Sequence, residues 1–265
     1  MVNIVGFIPA RMESSRFPGK PLAKINGIPM IGHVYYRSKM SSILDDVYVA
    51  TCNKEIEEYI SSINGKTIMT SNKHERASDR IAEALLKVEE ETGEKIDIVV
   101  MIQGDEPMIH PEMIEEAVYP LLNNGDVVVT NLMAKIKTKE DFRDPNEVKV
   151  VVDCQNNALY FSREPIPSDK KESNKNYMFK QICIIPFKRD FLIKFNQLEP
   201  TPLEIIESVD MMRVIEHGYK VKMVPTKYDT YSVDTKDDLN YVEKLMKNDI
   251  LLKKYSKFGN IIDKN

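Results

Sequence analysis

The sequence of 265 residues contains no tryptophan, four histidines, three cysteines and no apolar run long enough to cross a membrane. Each scarcity excludes a class. Cys52, Cys154 and Cys183 have neither CxxC spacing nor an even-numbered framework, which excludes a disulfide scaffold. All three lie in or beside apolar segments, so buried thiols are expected rather than nucleophiles. No histidine joins a cysteine at zinc-ligand spacing. Spanning helices need about 18 or more apolar residues in succession, and none is present. An excess of positive charge is missing too: 37 Lys and Arg stand against 41 Asp and Glu, a net −4. With a pI near 5.7, this excludes a generally basic nucleic-acid binder but leaves room for a local cationic pocket. Ten glycines and 14 prolines exclude collagen-like or low-complexity chains. Absent also are the Walker A sequence, the dinucleotide G-x-G-x-x-G and the G-x-S-x-G elbow, which disfavours a P-loop, a nicotinamide dehydrogenase and an α/β-hydrolase site. Met1 is followed almost at once by the strand-like NIVGFIPA with no basic leader, so a cytoplasmic protein is expected.

What is present is a 42% hydrophobic chain, enough for one large domain over residues 1–265. Asn3–Ile8, Asp46–Cys52, Thr67–Thr70, Asp97–Ile102 and Gly125–Ala134 read as strands. Met30–Met40, Lys54–Ile63, Ala77–Glu91 and Pro111–Leu122 read as helices between them. Such alternation predicts an α/β fold, a mainly parallel sheet flanked by helices. Ligands of these sheets bind beyond the carboxyl ends of the strands, so the loops after Pro9, Thr70 and Ile102 are where chemistry is expected. The middle differs. Lys149–Asp153 and Ala158–Phe161 suggest an antiparallel pair, Gln181–Phe187 a strand, and Leu203–His217 a helix closed by Gly218. Lys220–Val224 is a last strand and Lys236–Met246 a last helix. The tail from Lys247 is expected to be packed or frayed, and Pro165–Tyr177 is polar and a candidate lid.

Three loops carry most of the chemistry. Pro9 to Leu22 reads PARMESSRFPGKPL, placing Arg11, Arg16, Lys20 and the hydroxyls of Ser14 and Ser15 after a buried strand. Forked arginine donors and a mobile lysine suit a polyphosphate; a solvated basic loop is the plain alternative. Gln103-Gly104-Asp105-Glu106-Pro107 puts carboxylates at a strand's end, where Mg²⁺ is held against substrate phosphates or where an acid meets the start of a helix. In Ser232-Val233-Asp234-Thr235 either Asp234 or Thr235 could cap the last helix, and local pattern alone favours a cap role for Asp234. His33, among Tyr and Val in a helix, is expected to be packed rather than catalytic. His74 stands in the polar cluster Lys73–Arg80. Glu204, Glu207 and Asp210, at i, i+3 and i+6, would share one helical face, which is either a receiver for a polyhydroxyl ligand or a solvated acidic face.

Taken together these segments resemble the 3-deoxy-manno-octulosonate (Kdo) cytidylyltransferases, or CMP-Kdo synthetases. The motifs run in that family's order from Asn3 to about Val242: Pro9–Leu22, Gln103–Pro107, Pro145–Val151, Ala158–Pro167, Pro202–Glu207 and Val233–Leu239. The resemblance implies a nucleotide-sugar pyrophosphorylase-like fold with a small α+β lid or dimerisation insertion over 154–197, and a homodimer with no nucleic-acid or membrane partner. It also implies Mg²⁺ as cofactor, CTP as donor and a small anionic sugar acid as acceptor. On that basis Arg11, Lys20, Asp105 and Asp234 are the expected catalytic residues, with Asp105 and Asp234 as metal ligands. Ser14, Arg16, Thr70, His74, Arg80, Gln103, Arg163, Gln181, Glu207 and Asp210 are the expected substrate contacts, and Arg163 could take a carboxylate bidentately. The chain departs from the family in two places. Arg76 and Ala77 replace a small Ser-Gly pair, and Gln181, Cys183, Ile185 and Met211 fall where acceptor-side residues are otherwise His, Gly, Tyr and Gln. These changes raise an amino-Kdo, a nonulosonic acid or another small anion as alternative acceptors, and a non-catalytic nucleotide-binding homologue as the alternative of a different class.

Overall fold

The computed structural model describes residues 2–13, 16–170 and 178–259, so Ser14 and most of the candidate lid lie outside the described residues. The chain forms two compact units, one made of residues up to Glu115 together with those from Asp229 onward, the other of Glu116–Tyr228. The stretch 154–197, expected as an insertion, lies within the second unit.

In chain order the first unit begins with β1 (Ile4–Ala10), a turn of 3₁₀ helix at Lys20–Leu22 and the short hairpin β2 (Lys24–Ile25) and β3 (Ile28–Pro29). It continues through α1 (Met30–Lys39), β4 (Asp46–Thr51), α2 (Lys54–Ser62), β5 (Lys66–Met69), α3 (Ala77–Thr92) and β6 (Ile98–Ile102). Then α4 (Pro111–Asn123) leads into the second unit. Apart from the antiparallel hairpin of β2 and β3, the strands of the first unit run parallel in the order β6-β1-β4-β5. Every residue of β1 and β6 is buried, which is why IVGFIPA and IVVMI read as unbroken apolar runs: a parallel strand covered on both faces has no solvent side. α1, α2 and α3 pack on this sheet.

The second unit contains β7 (Thr130–Lys135), α5 (Lys139–Arg143), β8 (Lys149–Val152), β9 (Ala158–Ser162), β10 (Phe179–Ile182), β11 (Ile184–Lys188), α6 (Arg189–Gln197), α7 (Pro202–Glu207), α8 (Met211–Glu216) and β12 (Lys222–Pro225). Its sheet has the order β12-β7-β10-β8-β9, antiparallel except for β7 against β12. The chain returns to the first unit with α9 (Lys236–Met246) and α10 (Ile250–Gly259).

Most elements follow the sequence pattern within a residue or two, but four expectations need correction. The strand expected over Gly125–Ala134 starts at Thr130, because Asn124 forms a turn with Val127 first. The strand expected over Gln181–Phe187 breaks at Cys183, where the Ile182 carbonyl accepts from the Asn131 side chain (2.6 Å) instead of continuing a ladder. The helix expected over Leu203–His217 is two helices. Ser208 adopts a left-handed conformation (φ 53°), and the Glu207 carbonyl accepts from Arg163 Nε (2.8 Å), so α7 ends there. The thiols are also less buried than expected, with Cys154 exposed and Cys52 and Cys183 half-buried.

His33 is packed as expected and is central to how α10 is held. It is fully buried, with Nε2 against the Ile25 carbonyl (2.8 Å) and Nδ1 against the Tyr255 hydroxyl (2.9 Å). The carbonyl can only accept, so Nε2 carries the proton and Nδ1 accepts from the tyrosine. The Tyr255 oxygen in turn accepts from Arg37 Nε (3.0 Å), and Arg37 is paired with Asp249 (2.9 Å). The tail is therefore packed as far as Tyr255.

Burial, partly opposed by the bond to Ile25, lowers the His33 pKa to about 4. The unfolded chain binds this proton at about 6.5 and the folded chain does not, so stability is present above that pH and declines as pH falls towards 4. On this account unfolding free energy drops by about 2 kcal/mol between roughly pH 6.5 and 5. Urea denaturation across that range checks it: His33→Gln should show a shallower pH slope than the wild type.

Candidate functional site

The first unit holds a cavity of about 350 Å³ at the carboxyl ends of its strands. Three segments far apart in sequence meet there. The loop after β1 is folded back by two backbone features: Gly19 takes a left-handed conformation (φ 75°), and its N–H donates to the Met12 carbonyl (3.0 Å). Met12 N–H donates to Asn53 Oδ1 (3.0 Å), which ties the loop to the start of α2. Lys20 opens the 3₁₀ turn that follows.

The second segment is the QGDEP turn after β6. A Cβ at Gly104 would lie 2.9 Å from the Pro9 carbonyl, so only glycine permits the turn to press against the end of β1. That close approach brings Asp105 to the cavity. Its neighbour Glu106 is buried and accepts from the Thr230 hydroxyl (3.2 Å), so of the acidic pair Asp105 alone lines the cavity.

The third segment precedes α9. The helix is capped by Thr235, whose side chain accepts from Asp238 N–H (3.2 Å) while Asp238 accepts from Thr235 N–H (2.8 Å). The cap role that local pattern favoured for Asp234 therefore falls to Thr235. Asp234 is released to face Lys20, and Val233 N–H donates to the Asp105 carbonyl (2.9 Å), fixing the two acidic segments side by side.

Lys20 Nζ lies 2.8 Å from Asp105 Oδ2 and 3.2 Å from Asp234 Oδ1, and Arg16 Nη2 lies 3.1 Å from the same Asp234 oxygen. Burial works against the ammonium, but the two facing carboxylates outweigh it and raise the Lys20 pKa above its ordinary value. Beneath the charged residues sits a small core of Phe17, Ile25, Met30, Val233, Val242 and Met246. It packs the cationic loop, the hairpin and α9 together, so the geometry of the charges is set by apolar contacts directly below them.

The opposite wall comes from residues 70–80 and the start of α3. Arg80 is 3% exposed, with Nη1 donating to Thr70 Oγ1 (2.6 Å) and to the Ser71 carbonyl (3.3 Å). Its Nη2 is buried without a partner, a donor that a ligand oxygen at the cavity would satisfy. α3 begins at Ala77 with no side-chain cap, because Arg76 occupies the cap position. His74, Arg76 and Ala77 line the cavity, so the first of the two family departures is part of it. Sequence reasoning missed Glu83, which organises this wall. Its carboxylate accepts from Ser71 N–H (2.9 Å), Lys87 (2.8 Å) and the His74 ring. Burial opposes its charge, yet Lys87, Ser71 and His74 hold its pKa down to about 2. The signal was its position one turn beyond Arg80 on the same helix, visible only once the wall is known.

Of the expected residues, Arg11, Arg16, Lys20, His74, Arg80, Gln103, Asp105 and Asp234 line the cavity, and Thr70 supports Arg80. The remaining described ones lie in the second unit. There Glu207 accepts from Tyr160 (3.1 Å), Ser162 (3.0 Å) and Arg163 N–H (2.9 Å). Arg163 donates to the carbonyls of Glu207 (2.8 Å) and Pro145 (2.9 Å), clamping β9 to the end of α7. Glu204 is fully buried in a bidentate pair with Arg213 (2.7 Å each), so the expected acidic face does not form. Asp210 precedes α8, and Gln181 donates to Asn131 Oδ1 (2.6 Å).

The cytidylyltransferase family profile matches residues 5–224. A 3-deoxy-manno-octulosonate cytidylyltransferase of Geotalea uraniireducens is 41% identical over 93% of the chain and 100% of the relative. One of Thermodesulfovibrio yellowstonii is 44% identical, covering 90% and 96%. Among solved structures, a CMP:2-keto-3-deoxy-manno-octonic acid synthetase complexed with CTP superposes with a TM-score of 0.85 at 37% identity, covering 94% of this chain and all of the other.

The two roles at the start of α9 separate by substitution. Thr235→Ala is expected to cost about 1 kcal/mol of stability through loss of the cap. Asp234→Asn should shift the melting temperature far less, and thermal denaturation of both variants measures the contrast.

Proposed function

The chain belongs to the 3-deoxy-manno-octulosonate cytidylyltransferases, and on that premise we propose that it transfers CMP from CTP to the anomeric hydroxyl of Kdo in a Mg²⁺-dependent reaction that releases pyrophosphate. The observation that carries this reading is the convergence of Lys20, Asp105 and Asp234 on a cavity that Arg11 and Arg16 also line. Nucleotidyl transfer needs positioning and charge neutralisation more than covalent help from the protein, and this cluster supplies both signs of charge.

The donor set fits Mg²⁺. Asp105 and Asp234 are hard oxygen donors joined through one ammonium, and Mg²⁺ in such sites takes one or two carboxylates with phosphate oxygens and water. Among the described residues no group of three or more His, Cys, Asp or Glu gathers to form an all-protein cage, which agrees with a metal shared with the substrate. When bound, Mg²⁺ would neutralise phosphate charge and lower the pKa of the acceptor hydroxyl. Arg11, Arg16 and Lys20 are assigned to the triphosphate. The acceptor oxygen bonds to the α-phosphorus as the bond to the β-phosphate bridge breaks. The hydroxyl proton is released, and pyrophosphate leaves with the bonding pair.

Arg80 is assigned to the nucleoside, its unpartnered Nη2 donating to a base or ribose oxygen, with Thr70 and His74 shaping that wall and Gln103 beside the substrates. On the acceptor side the reading assigns Gln181 and Asp210 to the sugar acid, with Arg163 and Glu207 acting through the clamp between β9 and α7. The reading extends to a homodimer, for which the exposed Leu159, Ile205 and Ile206 of the second unit are candidate contact residues. CTP as donor supports a cytoplasmic reaction. Among the described residues no helix is long and apolar enough to cross a membrane.

Pyrophosphate release with CTP, Mg²⁺ and Kdo, against a control without acceptor, is the first test. Release should depend on Kdo and stop with excess chelator. Release with an amino-Kdo or a nonulosonic acid but not with Kdo would move the acceptor. Binding of CTP without turnover on any of these would favour a non-catalytic homologue. Asp105→Asn and Asp234→Asn should each lower kcat by about a hundredfold or more. Arg80→Ala should raise the KM for CTP by roughly tenfold to a hundredfold.

A further inference from the structure

Lys20 stands where the assigned metal would have to be held. Its ammonium is shared by Asp105 Oδ2 and Asp234 Oδ1, and it is well shielded, with 13% of its side chain exposed. Arg16 bonds the same Asp234 oxygen. Two carboxylates thus face two cations, and the cluster is neutral without a metal. A divalent cation arriving alone would meet a lysine already bonded to both of its protein ligands. Bringing a double positive charge beside that ammonium is unfavourable unless compensating negative charge arrives as well. A nucleoside triphosphate brings that charge, and its phosphates offer Lys20 and Arg16 new partners in the same cavity.

We propose that Lys20 is a lock on the two-carboxylate site: it excludes a divalent cation from the nucleotide-free enzyme, and admits one when a triphosphate draws the ammonium away from Asp105 and Asp234. Lys20 then has two successive roles, as internal counter-ion and as phosphate ligand, and the order of assembly follows from the first. The inference rests on the assignment of Asp105 and Asp234 as metal ligands in the preceding subsection.

The test uses Mn²⁺ as the probe and reads binding rather than turnover, through the electron paramagnetic resonance signal of free Mn²⁺. The intact protein is titrated with and without CTP, alongside Lys20→Met, Lys20→Arg and the double variant Lys20→Met with Asp234→Asn. Melting temperatures confirm that each is folded. Nucleotide-free wild type and Lys20→Arg should bind Mn²⁺ weakly, whereas Lys20→Met should bind it about tenfold more tightly or better. The double variant should lose that gain.

Wild type that binds Mn²⁺ without nucleotide as tightly as Lys20→Met overturns the lock and leaves the carboxylate site standing. Should Lys20→Met not fold, the wild type decides alone: Mn²⁺ held without nucleotide as tightly as in the presence of CTP overturns the lock. A folded Lys20→Met with no gain also overturns the lock. If no form of the protein retains Mn²⁺ beyond what CTP itself binds in solution, both the lock and the metal assignment fall.

Discussion

One ammonium group shared by two carboxylates is the constraint around which the first unit is arranged. Lys20, Asp105 and Asp234 come from the first, middle and last parts of the chain, and each is delivered by a different device. A left-handed glycine folds back the first loop, a glycine pressed against a backbone carbonyl turns the second, and a capping box beginning one residue later frees the third. The two glycine turns carry no charge, and the one carboxylate in the cap, Asp238, is taken up by backbone N–H groups rather than by the cluster. Backbone conformation and an apolar core bring the charges together, and the charges then offset one another, which makes the arrangement tolerable at low exposure.

The neutral cluster is also poised. Each of its members is assigned, in the proposed function, to part of a metal–triphosphate complex, and each is occupied here by another member. On the proposed function, binding would exchange one set of charge-assisted hydrogen bonds for another rather than create them from nothing. Arg80 on the opposite wall differs: its Nη2 has no hydrogen-bond partner, so a bond to the nucleoside, as proposed, would not be offset by one it must first give up.

The parts of the fold that were legible in the sequence are those governed by short-range pattern. Buried parallel strands such as Ile98–Ile102 announce themselves by unbroken apolar runs, and α3 and α9 by periodicity. The cationic loop and Asp105 were legible too, because strand ends of parallel sheets are where such residues gather. What stayed illegible depends on remote partners. Local pattern favours a cap role for Asp234, yet Thr235 caps the helix; the Val233 N–H bond to the Asp105 carbonyl, invisible in the sequence, fixes this segment beside the QGDEP turn with Asp234 at the cavity. The break at Ser208 is set by Arg163, 45 positions away, taking the Glu207 carbonyl. Glu83 was overlooked because an acid on an amphipathic helix reads as a solvated face until Ser71 and His74 are seen to fold onto it.

The first unit is closed by residues that follow the whole of the second. During synthesis, the cationic loop and Asp105 leave the ribosome more than a hundred residues before Val233, Asp234 and α9. A growing chain of that length carries Phe17, Ile25 and Met30 without the Val233, Val242 and Met246 that complete their cluster. It also carries Lys20 with only one of its two carboxylates. An interrupted chain therefore presents bare apolar surface, the liability that chaperones answer, together with two cations, Arg16 and Lys20, facing one carboxylate; synthesis of Val233, Asp234 and α9 removes both faults.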